Sequence, residues 1–529
     1  MRVESSFVLL CLLGASWLPM AAQPPVLTAH NDLARTGQNL EEATLTTSNV
    51  KSATFGKIFQ ATLDGLVDAQ PLYVPGIPVA NLGTHNLLIV ATENDSLYAL
   101  DADTGALLWK AVLLGKGETP SDNRSCSNVA PTIGITSTPA IAFRTGSLEG
   151  AIFAVAMSKG ANGKYHQRLY KVNLTAGRQL GVVEIAAEYP ATGPQSLNGY
   201  DTFDSKMYME RSALLLLNDV VYLAWASHCD YAPYTGWVMG YNANTLTQTS
   251  VINITPNGED GAIWGSGAGL AADSSGNIYF GAANGTFDGT LNAQGFPIDG
   301  DYGNAFMRLS TGGNKLAVAD YFTMYNTNRE SDVDADLGSG GVIVLPDMTD
   351  ANGQVRHLAI GAGKDNDIYL VDRDNMGKFN PENDDAIYQE LYGVLTNGVW
   401  SMPAYYRGRV YFGSRNSPIR AFEFNQAVLS LTSVSQTSTV FPYPGAASSI
   451  SANGSTNAIL WAVENSTPAV LHAYSATNLE EELYNTSQAA NGRDQFGAGN
   501  KFMVPTIVNG KVYVGTPNGV AAFGLLKSQ

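Results

Sequence analysis

The chain repeats itself, and the repeat falls one strand short at the end. Units of short alternating apolar strands separated by Gly-, Asn- and Asp-rich turns recur along almost the whole sequence. "AQPLYV", "LLIVAT", "SLYALD" and "ALLWKAVL" form the first unit, from 69 to 114. Six more follow, and the last unit, "VPTIVNGKVYVGTPNGVAAFG", supplies only three strands. A single such sheet leaves apolar surface on both faces, which only neighbouring sheets can cover, so the units must stack. Closing the stack into a ring also removes long exposed strand edges. The missing strand of the last unit is then supplied from the other end of the chain by "FGKIFQATL", residues 55–63. The expectation is an all-β, eight-bladed β-propeller of four-stranded antiparallel blades closed by an N-terminal strand, with seven blades as the alternative count.

The first residues are read apart from this fold. "MRVESSFVLLCLLGASWLPMAAQPP" carries Arg2, an apolar run from Phe7 to Trp17 and small residues at Ala21 and Ala22. That is the pattern of a secretory signal, and the run is too short to span a membrane. The expected organisation is a signal peptide at 1–22 and one propeller domain at 23–529, secreted or periplasmic, with no membrane span. A net charge of −17 argues against nucleic acid as a partner. Cys126 and Cys229 are the two cysteines outside the signal, and a disulfide between them is possible in an oxidising compartment. No Cys–His pattern has zinc spacing, and there is no C-x-x-C-H haem motif.

Within the first unit, Ala99, Asp101, Thr104, Gly105 and Trp109 form A-x-D-x-x-T-G-x-x-x-W. Asp and Thr cap the turn between the two outer strands, Gly supplies its backbone angle, and Trp is placed to pack between blades. This pattern resembles the tryptophan-docking repeat of the PQQ-like propellers, the superfamily of quinoprotein alcohol dehydrogenases. It specifies a blade; chemistry must come from other residues.

Three further segments resemble the dehydrogenases of that superfamily. "GEDGAIWGSGAGLAADSSGNIYFGAANG" is similar to the segment in which a Gly-rich turn leads to the Trp that floors the quinone and a strand ends in a calcium-binding Asn. The resemblance implies Trp264 as floor and Asn284 as metal ligand. "DADLGSGGVIVLP" and "GAGKDNDIYLVDRDNMG" are similar to the segments carrying the catalytic Asp and the cation on the quinone carbonyl, giving Asp336 and Lys364. On this match Asp336 is the base for the substrate hydroxyl and also a metal ligand, and Asp230, in "ASHCDYAPYTGW", is a shorter stand-in for the family's Glu calcium ligand. Asp332 and Asp334 compete for the role of base. The implied cofactors are PQQ and Ca²⁺, the implied substrate a small alcohol or carbohydrate, and the electrons pass to a separate acceptor.

The sequence departs from the family in definite places. The adjacent-cysteine disulfide is absent, since Ser127 follows Cys126; the Arg expected before Pro139 is missing; and Ala335 replaces the Trp of a W-D pair before Asp336. These departures favour the alternative reading, a non-redox propeller binding a glycan or protein partner at the channel mouth. Near the chain start, His30, Asp32 and Arg35 read as a solvated N-terminal arm, with a place lining the channel mouth as the alternative.

Overall fold

In the computed structural model, which describes residues 24–144 and 149–527, the repeats form an eight-bladed propeller. The signal-like segment and its 22/23 boundary lie outside the described residues. Blade 1 runs Leu72–Val79, Gly83–Thr92, Ser96–Asp101 and Leu107–Val112 from channel to rim. Blade 2 starts on Ala140–Phe143, blade 3 on Leu215–Leu217, blade 4 on Ala271–Ala272 and blade 5 on Ile343–Val344. Blades 6, 7 and 8 start on Ala404–Tyr406, Ser449–Asn453 and Thr506–Val508. Phe55–Thr62 pairs antiparallel with Gly519–Leu525 and completes blade 8, so the strand missing from the last repeat is the one expected from the N-terminal side.

The docking motif behaves as its residues dictate. Asp101 Oδ1 accepts from the backbone N–H groups of Asp103 and Thr104 and from the Thr104 hydroxyl. Gly105 takes φ +76°, and a Cβ there would lie 2.6 Å from the Phe59 ring of the closing strand. Trp109 reaches across to blade 2, its indole N–H donating to the Leu174 carbonyl at 3.1 Å. Blade 1 is thereby keyed to blade 2 through its outer turn.

The N-terminal arm corrects the sequence reading. His30 and Arg35 are buried, at 1% and 0% exposure. The arm crosses the channel and touches the innermost strand, or its leading residue, in every blade. Val26 pairs with Tyr73 of blade 1, and the Leu27 carbonyl accepts from Ile141 of blade 2. The carbonyls of Leu33, Ala34, Thr36 and Gly37 accept from Ala272, Val344, Tyr405 and Ile450, one in each of blades 4 to 7. Asn39 donates to the Ile507 carbonyl of blade 8. The Arg35 guanidinium closes the set, donating to the carbonyls of Leu214, Leu270 and Ala29 and to the Thr28 hydroxyl. His30 sits between the Arg35 and Ser448 carbonyls, at 2.7 and 2.8 Å from its two ring nitrogens. Its ring packs so closely on Gly37 (φ +71°) that a Cβ there would lie 2.3 Å away. A charged group with this many buried acceptors is structural, because the channel wall offers those carbonyls no other donor.

Replacing Arg35 by Ala strands three buried carbonyl groups and opens a void at the hub. The expected cost is about 3–5 kcal/mol of stability, read as a lowered denaturant midpoint with an unchanged m-value.

Candidate active site

The loops that lead into the innermost strands enclose a cavity of about 430 Å³ at one end of the channel. That volume falls within the roughly 300–1,000 Å³ usual for small-molecule sites. Trp264, Asn284, Asp336, Lys364 and Asp230 all line it. Five residues spread over more than 130 positions of sequence therefore meet in one place, because a propeller gathers both the loops that enter successive blades and the connections between their inner strands at one end of its axis.

Asp336 and Lys364 form the polar centre. Asp336 is 2% exposed and follows the short helix Thr327–Asp332, which turns the chain back into the channel. Lys364 Nζ lies 2.6 Å from Asp336 Oδ1 and 2.5 Å from Asp334 Oδ1. Burial raises the pKa of the Asp336 carboxyl, and Lys364 only partly offsets that effect. Burial also pulls Lys364 down, but the two carboxylates outweigh it and leave the amine above its usual value. Asp334 is 73% exposed at the rim and Asp332 is exposed outside the cavity, so of the three acids Asp336 is the enclosed one.

Asn284 and Asp230 sit opposite. The Asn284 side-chain N–H donates to Asp334 Oδ1 at 2.8 Å, which fixes the amide and leaves its buried Oδ1 without a partner. Asp230 Oδ1 accepts from the Ser227 and Tyr234 hydroxyls at 2.6 and 3.0 Å. Asp260, which the sequence reading passed over, joins them; burial pushes its pKa up to about 6. Among the described residues no three His, Cys, Asp or Glu side chains form a cluster that could hold a metal by themselves. The free Asn284 oxygen lines the same cavity as the Asp336 and Asp230 carboxylates, and oxygen donors are the kind hard cations take.

Aromatic rings wall the rest. Trp264 packs against the cluster that holds Cys126, Val129 and Met209 and turns toward the cavity. Trp400 lies under Lys364, with the amine 5.8 Å from its ring centre, and makes an edge contact with Tyr443 at 5.9 Å. Arg211, 3% exposed, stacks on Phe502 at 4.0 Å and keeps its Nε and Nη1 buried without acceptors. The sequence reading missed Trp400, Tyr443, Phe502 and Arg211. Trp400 stands in "NGVWSMPAYY", one blade-entry loop like that of Trp264, and this equivalence was the available signal.

Cys126 and Cys229 are bonded to each other across 103 positions. The bond joins the loop before blade 2 to a loop within blade 3, and Asn128 and Asp230, just beyond the two cysteines, both line the cavity.

The architecture is an eight-bladed β-propeller, as the repeat suggested. The chain is similar in structure to the quinohemoprotein alcohol dehydrogenase of Comamonas testosteroni, with a TM-score of 0.64 at 14% identity over 96% of this chain and 81% of that one. The quinohemoprotein alcohol dehydrogenase ADHIIG of Pseudomonas putida HK5 gives 0.61 at 14% identity, over 96% and 81% of the two chains. A europium-containing methanol dehydrogenase gives 0.62 at 14% identity, over 95% and 98%. At that identity the likeness establishes the fold. No protein-family model matches the chain, and no curated protein does.

Because ionising Asp336 works against its burial, the carboxylate costs stability at neutral pH. Its folded-state pKa lies above the unfolded value, so stability is lost as pH rises from the unfolded pKa through the folded one. In metal- and cofactor-free protein at pH 7, Asp336→Asn is expected to raise the apparent Tm by about 1–2 °C. The gain should vanish below about pH 4, and Lys364 keeps Asp334 as its partner throughout.

Proposed function

We propose that the protein is an exported quinoprotein-type dehydrogenase that oxidises the hydroxyl group of a small alcohol or sugar and passes the electrons to a separate acceptor. The observation that carries this reading is the meeting of a buried Asp–Lys pair, an amide oxygen with no partner and two tryptophans in one cavity. The likeness of fold to alcohol and methanol dehydrogenases supports it. Export is supported by the signal-like start of the sequence and by the disulfide, which suits an oxidising compartment.

The residues fit PQQ and Ca²⁺. Trp264 offers an aromatic floor and Trp400 a second aromatic wall. Asn284 Oδ1, Asp336 and Asp230 would hold the metal, and the unpartnered Arg211 donors suit an anionic substituent of the cofactor. When bound, the quinone supplies a two-electron oxidant for the carbinol C–H, and the cation a Lewis acid that polarises its carbonyl.

The chain's own residues do the rest. Asp336 takes the proton of the substrate hydroxyl at a carboxylate oxygen, and its burial holds it toward the basicity a general base needs. Lys364 orients that carboxylate and keeps a positive charge where negative charge develops on an acceptor oxygen. Aromatic walls exclude water from the reacting carbon.

Calorimetric titration of PQQ into the purified protein, with and without Ca²⁺, is the test. The expected result is calcium-dependent 1:1 binding that weakens about 10- to 100-fold in Asn284→Ala. Dye-linked alcohol oxidation should fall about 10²- to 10⁴-fold in Asp336→Asn. Absence of binding at high micromolar PQQ overturns the dehydrogenase reading and leaves a propeller whose tryptophan-walled cavity is to be screened against glycans.

A further inference from the structure

The two loops joined by the disulfide border a second cavity as well. Arg124, two residues before Cys126, and His228, next to Cys229, line a separate space of about 420 Å³ together with Tyr165, Lys206, Met207 and Tyr231. None of these six borders the central cavity.

Its chemistry is that of an incomplete site. The Arg124 guanidinium lies over the Tyr165 ring at 4.7 Å, and its Nη1 donates to the Lys206 carbonyl. That fixes the plane of the group and points its other edge, Nε and Nη2, into buried surroundings where neither nitrogen has an acceptor. His228, 1% exposed, lines the same space.

The nearby acids are committed elsewhere. Asp122 Oδ1 is held by Lys159 at 3.0 Å and the Tyr165 hydroxyl at 2.8 Å, and Asp204 Oδ1 accepts from the Lys206 backbone. Among the described residues Arg124 makes no ion pair. Leaving buried donors unmade costs about 1–3 kcal/mol each, more for a charged group. The Nε–Nη2 edge is one of the two faces on which guanidinium takes a carboxylate through paired hydrogen bonds. The remaining walls are apolar and aromatic, with Tyr231 edge-on to His228 at 5.4 Å and 48% exposed at the opening.

We propose that this second cavity binds a small organic carboxylate, its two oxygens on the Nε–Nη2 edge of Arg124 and its apolar body among Tyr165, Met207 and Tyr231. The site is independent of any cofactor in the central cavity. It shares with that cavity only the two loops joined by Cys126 and Cys229.

Calorimetric titration of benzoate into the cofactor-free protein tests this. Saturable 1:1 binding is expected, at least about tenfold tighter than benzyl alcohol or inorganic phosphate, the first lacking the charge and the second the apolar body. Arg124→Gln should lower benzoate affinity by about tenfold or more, a loss of a charge-assisted pair. Tyr231→Ala, at the exposed opening, should weaken it severalfold without disturbing the fold, and an unchanged melting curve checks both variants. Lys364→Gln in the central cavity should leave benzoate binding as it is. No saturable binding at 10 mM benzoate overturns the proposal. So does binding that survives both Arg124→Gln and Tyr231→Ala, or that disappears in Lys364→Gln, which would place it in the central cavity. Phosphate binding more tightly than benzoate would overturn the assignment to an organic carboxylate.

Discussion

One strip of backbone holds the ring together. Between Val26 and Asn39 the chain spends its carbonyls and side-chain donors on the innermost strands of all eight blades, and Arg35 supplies the donors that backbone geometry cannot. The innermost strand of a propeller blade has a free edge facing the channel, and unpaired edge groups in a closed space are costly. Here that edge is covered from within. The closing strand at the rim of blade 8 and the arm at the axis come from the same end of the chain, so the N-terminal residues lock the ring both inside and outside.

The position of the site follows. The arm occupies the channel alongside the innermost strands, which leaves the loops leading into those strands to enclose the remaining space. Trp264, Asp336, Trp400, Tyr443 and Phe502 stand before the innermost strands of blades 4 to 8 in turn, and Arg211 stands before that of blade 3. In these six blades the side chain at that position lines a common volume. Each of blades 3 to 8 thus contributes one entry-loop residue to the cavity, and the two acidic loops carrying Asp334 and Asp260 complete it around Asn284.

Much of this was written locally in the sequence. Strand alternation, the A-x-D-x-x-T-G-x-x-x-W turn and the one-strand deficit of the last repeat are short-range signals, and they fixed the blade count and the closing strand. Trp264, Asn284, Asp336, Lys364 and Asp230 were singled out because each lies in a segment resembling a known one, and all five line one cavity. What failed was long-range. "HNDLARTGQ" looks like a polar arm because polarity in a sequence says nothing about how many carbonyls wait for a donor 180 or 235 positions away. Arg211 and Phe502 met the same obstacle: their stacking joins blades 3 and 8 across the channel, and neither residue carries a local motif.

The cysteines show how a departure from a family pattern can still serve the same end of the molecule. Adjacent cysteines would make a local loop; Cys126 and Cys229 instead join two loops 103 positions apart. A link of that span removes far more freedom from the unfolded chain than a local one, on the order of 4–5 kcal/mol in the loop-entropy account. It also does something a local bond cannot. The loop of Asn128 and the loop of Asp230 reach the central cavity from different blades, and the bond gives them one fixed separation while its hydrophobic surroundings back the Trp264 ring. The same bond ties the loop of Arg124 to the loop of His228, two residues that line the second cavity. A single covalent link thus fixes the spacing of two loops that border both cavities.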